Sequence, residues 1–146
     1  MNDRYLYRAK RTDNVEWVEG YYLFCPIQAD NKHSVENFIY KHWIVTHNGN
    51  PFKVDSSTIC QCTGLKDKNG KLIWENDVVC TPYVDPIFGD IVNDKILDDY
   101  IWKVVFVDGG FCVENEDKII NLRSFTNGNH MKAIGNIFDN PELLEK

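Results

Sequence analysis

Four cysteines, Cys60, Cys62, Cys80 and Cys112, and four histidines are the side chains most able to hold a metal. A structural zinc site takes thiolates from knuckles with about two to four residues between them. Cys60-x-Cys62 has a single intervening residue, which on a strand puts both thiols on one face roughly 7 Å apart. No second pair follows. Buried thiols are therefore expected, with no metal and no cofactor. A Cys or Ser hydrolase needs a nucleophile, a base and an orienting group, and no nucleophile elbow or capped helix surrounds any cysteine. Glu116-Asp117-Lys118, after an apolar hairpin, comes nearest to an enzyme site, because metal-dependent nucleases place carboxylates and a lysine on such a hairpin. A turn at a strand end explains the same three residues. Gly109-Gly110 lacks the lysine and helix of a phosphate loop. The aspartates between Thr81 and Tyr100 depart from EF-hand spacing and read as a solvated acidic loop. The chain is expected not to be an enzyme, and no catalytic residue is assigned.

The elements that position these residues are almost all strands. Tyr5–Ala9 alternates as a first strand, and Trp17-Val18 with Tyr21–Phe24 makes a second, with Gly20 as a bulge or bend and Pro26 ending the run. Phe38–Tyr40 and Trp43–Val45 form a third β-rich segment. Asp67-Lys68-Asn69-Gly70-Lys71 is a tight-turn signal between Thr58–Leu65 and Leu72–Trp74, since Gly adopts positive φ without steric cost and Asn tolerates it. The charges at Lys66, Asp67, Lys68 and Lys71 read as a solvated turn. Glu75-Asn76-Asp77 breaks the run and Val78-Val79-Cys80 resumes it. Ile101–Val107 and Phe111–Glu114 flank a second hairpin turn, Asp108-Gly109-Gly110. Met131–Phe138 is the last strand. Asn140-Pro141-Glu142 opens a short C-terminal helix, with Asn at the N-cap and Pro at the first helical position.

Short strands separated by glycine turns indicate a mainly β fold with minor α. The expected architecture is an N-terminal β-hairpin annex over residues 1–56, able to act as a dimerisation arm. A small SH3-like β-barrel over residues 57–146 ends in the short helix, and the whole is treated as one domain, 1–146. With 146 residues, 43% apolar and 13% aromatic, the chain can bury a sizeable core. Met1-Asn2-Asp3-Arg4 leads into charge rather than an apolar leader, and no apolar run approaches the roughly 20 residues of a membrane helix. Five cysteines, an odd number, fit reduced thiols in a cytosol. The expectation is a cytoplasmic protein with no membrane partner.

The order ICQCTGLKDKNGKLIWENDVV resembles the central signature of the YopX family, small proteins found mainly in phages and prophages: a Thr-Gly-Leu-x-Asp-x-Asn-Gly run, an apolar pair, then Glu-Gly-Asp-hydrophobic. Tyr7-Arg8-Ala9-Lys10 with Glu16–Tyr21 is similar to its opening, Val107–Phe111 to its late hairpin, and Ile134–Leu144 to its C-terminal signature. Asn76 stands where the family usually has Gly, and Asn is the residue best able to hold that left-handed position. Ala9 stands where Gly is common. The resemblance implies a bacterial-host setting, a phage or prophage provenance and no catalytic residues to carry over.

Function then rests on surface chemistry. Net charge is −6, and Asp85, Asp90, Asp94, Asp98 and Asp99 stand against Lys95 alone between Thr81 and Tyr100. A protein that grips nucleic acid usually shows a basic stripe, so the charge disfavours that partner. Interfaces favour Tyr, Trp and Phe, which makes Trp17, Tyr21, Tyr22, Phe24, Tyr40 and Trp43 the candidate interaction surface. The expected role is a protein-interaction module that binds a host or phage protein or a second copy of itself as a homo-oligomer. The alternative is a nucleic-acid-binding accessory protein of phage replication or gene expression, with these aromatics as a stacking platform.

Overall fold

The computed structural model describes residues 5–28, 38–85, 87, 90–91, 93–116, 118–125 and 130–145. The chain divides into two compact units between Gln61 and Cys62. Both are built from antiparallel strands, as the glycine turns and β-branched runs predict.

In the N-terminal unit the strands are β1 (Tyr7–Lys10), β2 (Trp17–Gln28), β3 (Phe38–Val45), β4 (Pro51–Lys53) and the start of β5 (Cys60–Lys66), ordered β4-β3-β2-β1-β5. Register places Ala9 opposite Val18, Tyr22 opposite Ile44, and Ile44 opposite Phe52. Directly paired residues share a face, so one face gathers the cluster of Ala9, Val18, Ile44 and Val54, with Tyr7, Tyr22, Phe52 and Ile59 packed on it.

Two features of β2 differ from expectation. Gly20 is not a bulge, since it pairs in register with Tyr7. It is glycine because a Cβ there would overlap the Val45 carbonyl, whose carbon would lie at 2.7 Å. Pro26 does not end the strand either, for β2 continues to Gln28 opposite Phe38. Beyond Phe24 and His42 the β2–β3 ribbon has no third strand among the described residues, and a strand with an open edge has positions that need no N–H.

The C-terminal unit carries the rest of β5, which pairs with β6 (Leu72–Trp74), and a five-stranded sheet ordered β10-β9-β8-β7-β11. Its strands are β7 (Asp77–Cys80), β8 (Ile101–Val107), β9 (Gly110–Glu114), β10 (Ile119–Asn121) and β11 (Lys132–Asn136). Its core holds Ile73, Val79, Val84, Trp102, Val104, Val113, Leu122, Phe125 and Met131. The SH3-like barrel is not what forms: among the described residues the five-stranded sheet is open, with β10 and β11 as its edges. The C-terminal helix is a single 3₁₀ turn, Pro141–Leu144, preceded by Asn140. The Asn140 side chain makes no cap bond to that turn; its Oδ1 instead accepts from the Asn136 amide at 3.3 Å.

Asp67 overturns the solvated-turn reading. It is only 3% exposed. Its Oδ1 accepts from the amides of Asn69 and Lys71, each at 2.9 Å, and its Oδ2 from the amide of Ala133 on β11 at 3.0 Å. One carboxylate thus closes the β5–β6 hairpin and fastens it to the last strand. The loop has three residues rather than two between Asp67 and Lys71, whose backbones bond at 2.8 Å, with Gly70 at φ 81°. Asn76 sits at φ 70°, a left-handed conformation that Gly, Asn and Asp hold with least strain. Its carbonyl accepts from Ile137, while Asp77 closes the same turn by accepting from the Trp74 amide at 2.9 Å.

Candidate functional site

Cys60, Cys62 and Cys80 are buried, and all five cysteines are thiols without a disulfide. Burial first, and the Asp98 carboxylate next, push the Cys80 thiol above its ordinary value, the opposite of what a nucleophile needs. Among the described residues no three His, Cys, Asp or Glu side chains come together as a metal site. Asp108 and Gly109 both take positive φ, 51° and 81°, so Asp108-Gly109 is a hairpin turn between β8 and β9. Around Glu116, the Asn115 amide donates to the Lys118 carbonyl at 3.0 Å and the Asn115 side chain accepts from the Lys118 amide at 3.2 Å. That is a strand-end turn; Asp117 lies outside the described residues.

The residues that carry the family resemblance are structural too. Asn136 is the clearest case. Its Oδ1 accepts from the amides of Phe138 and Asp139 at 3.0 and 2.9 Å, and its Nδ2 donates to Asp139 at 3.1 Å. Gly135 leaves room for this cap, since a Cβ there would stand 2.8 Å from Asn140 Cγ. The C-terminal signature ties a turn together, with Asp139 and Glu142 exposed around it.

What remains is the face of the N-terminal sheet opposite its core. Alternation puts Arg8 and Lys10 of β1, Trp17, Glu19, Tyr21 and Leu23 of β2, Lys41 and Trp43 of β3, and Lys53 of β4 on this side. The Arg8 guanidinium lies 4.6 Å from the Trp17 ring centre, Lys10 Nζ lies 5.4 Å from the same ring, and Lys53 Nζ lies 5.7 Å from Trp43. These cation–π contacts fix the cations over half-buried rings instead of leaving them to sweep freely. Between the two tryptophans, Tyr21 and Leu23 are 42% and 47% exposed. At the β4 edge a shallow cleft of about 240 Å³ is lined by Arg11, Thr12, Asp13, Trp43, Pro51, Phe52 and Lys53.

The six aromatics singled out from the sequence do not share one surface. Trp17, Tyr21 and Trp43 stand on the front face with the cations. Tyr22 and Phe24 stand on the core face, where Tyr22 Oη bonds His42 Nδ1 at 2.6 Å and the Phe24 ring lies 4.8 Å from the His42 ring. Tyr40 pairs through its backbone with Pro26; its side chain lies outside the described residues. Sequence reasoning missed Leu23 and Lys53, although strict alternation from Trp17 through Tyr21 signals the first.

Charge is segregated as well. Residues 1–61 hold seven basic and seven acidic side chains, and residues 62–146 hold nine and fifteen. The whole net charge of −6 therefore belongs to the second unit, and the front face belongs to a neutral one.

The crystal structure of protein EF1440 from Enterococcus faecalis matches at 27% identity and a TM-score of 0.50, over 95% of this chain and 96% of that one. The crystal structure of protein yopX from Bacillus subtilis matches at 20% identity and a TM-score of 0.50, over 100% and 98%, a likeness of fold. No curated protein matches the chain. The family model described as YopX protein matches residues 6–145, which takes in both units and every signature turn described above, and the chain belongs to the YopX family.

Proposed function

We propose that this chain is a non-enzymatic protein-interaction module, phage or prophage derived and working in the bacterial cytoplasm, that engages its partner through the front face of β1–β4. The observation that carries this reading is Tyr21 and Leu23, large apolar side chains nearly half exposed between two cation-capped tryptophans. Aromatic and aliphatic anchors flanked by basic residues are the composition of an interface centre with a polar rim. In this reading residues 1–56 are the binding annex and residues 57–146 the scaffold.

Nucleic acid is the second reading, favoured by one observation: the neutral N-terminal unit escapes the charge argument drawn from the whole chain, and cations interleaved with aromatics suit a single strand. Capture from bacterial lysate separates the two. Tagged wild type and a Y21S/L23S variant are compared with and without nuclease. A partner retained by wild type through nuclease treatment and lost by the variant is the expected result. Equal capture by both proteins overturns the assignment of the face, and loss on nuclease treatment alone puts nucleic acid first.

A further inference from the structure

The front face has a complementary surface on the same chain. In the C-terminal unit the segment after β7 is tied down at its base. Thr81 donates its amide to the Tyr100 carbonyl at 3.3 Å and accepts from the Leu97 amide at 3.1 Å. Its Oγ1 also accepts from the buried Trp102 Nε1 at 2.8 Å. Further out, Val84 bridges to Ile91 and the Asp85 amide donates to Asp90. From this base the segment displays Asp90, Asp94, Asp98 and Asp99, all exposed, beside Tyr83 and Ile87, which are 46% and 80% exposed. Asp94 Oδ1 stands 3.8 Å from His130 Nε2.

We infer that the front face of one copy takes the acidic 81–100 segment of a second copy, with Lys10, Lys41 and Lys53 meeting Asp94, Asp98 and Asp99, and Ile87 seated near the Trp43–Phe52 cleft. This inference rests on the interaction-face reading above and names its occupant. Three observations support a second copy over an unrelated protein. The charges are complementary, with the acidic excess confined to one unit and the aromatic-bound lysines to the other. Both surfaces carry exposed apolar side chains of the kind that supply an interface centre. Both have fixed points before contact, Lys10 and Lys53 at tryptophan rings and the base of the loop at its Thr81 bonds, which lowers the ordering cost of association. Because two different patches meet, the contact is head-to-tail. It generates a ring if the rotation closes and an open chain if it does not.

Complementation between charge-reversed variants tests this. Sedimentation is followed to about 100 μM for wild type, for the face variant K10E/K53E, for the loop variant D94K/D98K/D99K, and for an equimolar mixture of the variants. The expected result is concentration-dependent association of wild type, weakened about tenfold or more between low and high salt. Each variant alone stays monomeric. The mixture regains association, since the intact face of one variant meets the intact loop of the other and the two reversed patches are complementary as well. That regained association also shows that both variants fold, and near-UV circular dichroism of each checks it independently. A monomeric wild type across the range, variants that associate as wild type does, or a folded mixture that stays monomeric each overturns the inference. If wild type is monomeric while nuclease-resistant capture still depends on Tyr21 and Leu23, the interaction face stands and only its occupant is wrong. If an oligonucleotide binds wild type and K10E/K53E abolishes that binding while wild type stays monomeric, the face belongs to nucleic acid instead.

Discussion

The carboxylate of Asp67 holds the backbone amide of Ala133, 66 residues further along the chain, at 3.0 Å. With the amides of Asn69 and Lys71 on its other oxygen, it joins a local turn to the last strand of the C-terminal unit. Replacing it by alanine leaves three donors without their acceptor in a nearly closed site. Bonds to a charged partner are worth about 1.5–3 kcal/mol each and do not add, so D67A should lose roughly 3 kcal/mol. D67N, which keeps one oxygen acceptor, should lose less. Urea unfolding of both against wild type checks the order, and equal midpoints for all three would remove Asp67 from the scaffold.

Asn76 tests the left-handed turn. At φ 70° a β-branched side chain is strained, and a left-handed residue costs about 1–2 kcal/mol when it is not Gly or Asn. N76G should match or slightly exceed wild type in thermal stability, and N76V should fall below it by about that amount. A stable N76V would mean that the turn relaxes.

Asp55 gives a pH dependence of known sign. It accepts from the Ser57 hydroxyl at 2.7 Å and the Ser57 amide at 3.0 Å, and these bonds, the hydroxyl first, hold its carboxyl below the usual range. A depressed folded value means that the contribution is present above the unfolded pKa and is lost as pH falls through the folded one. The gain is small because the group is exposed. D55N should reduce stability at neutral pH and narrow its gap to wild type as pH falls below about 4. A gap that stays constant with pH would assign the loss to packing around Thr58, whose Oγ1 accepts from the Lys10 amide at 2.8 Å.

Thiol reactivity reports the two cores. Cys25 and Cys112 are half-buried, while Cys60, Cys62 and Cys80 are buried. Two thiols should react with an aromatic disulfide in the native protein and five in denaturant. Because burial raises the Cys80 value, stability attributed to that thiol is intact below its unfolded pKa and declines as pH rises toward the folded one. Fast native reaction of Cys80 would contradict its burial.

Local chemistry was enough for the sequence alone to show the family resemblance, the mainly β class and the places of the glycine turns. Gly70 and Gly109 supply the positive φ their turns need, and Asn140-Pro141 marks the start of the short turn that follows it. The sequence reading groups Tyr21 and Tyr22 on one surface, although strand alternation sends them to opposite faces. Only the tertiary structure decided which of those faces is core, because that depends on Ile44 and Phe52 arriving from β3 and β4. It alone buried Asp67, whose partner is 66 residues away, and required glycine at position 20, where the Val45 backbone comes close. It also left the second sheet open, because β10 and β11 remain edges. Charge behaved the same way. A sum over the chain says acidic, but the placement of Lys10 and Lys53 over tryptophan rings makes one face basic, and a binding partner meets the face.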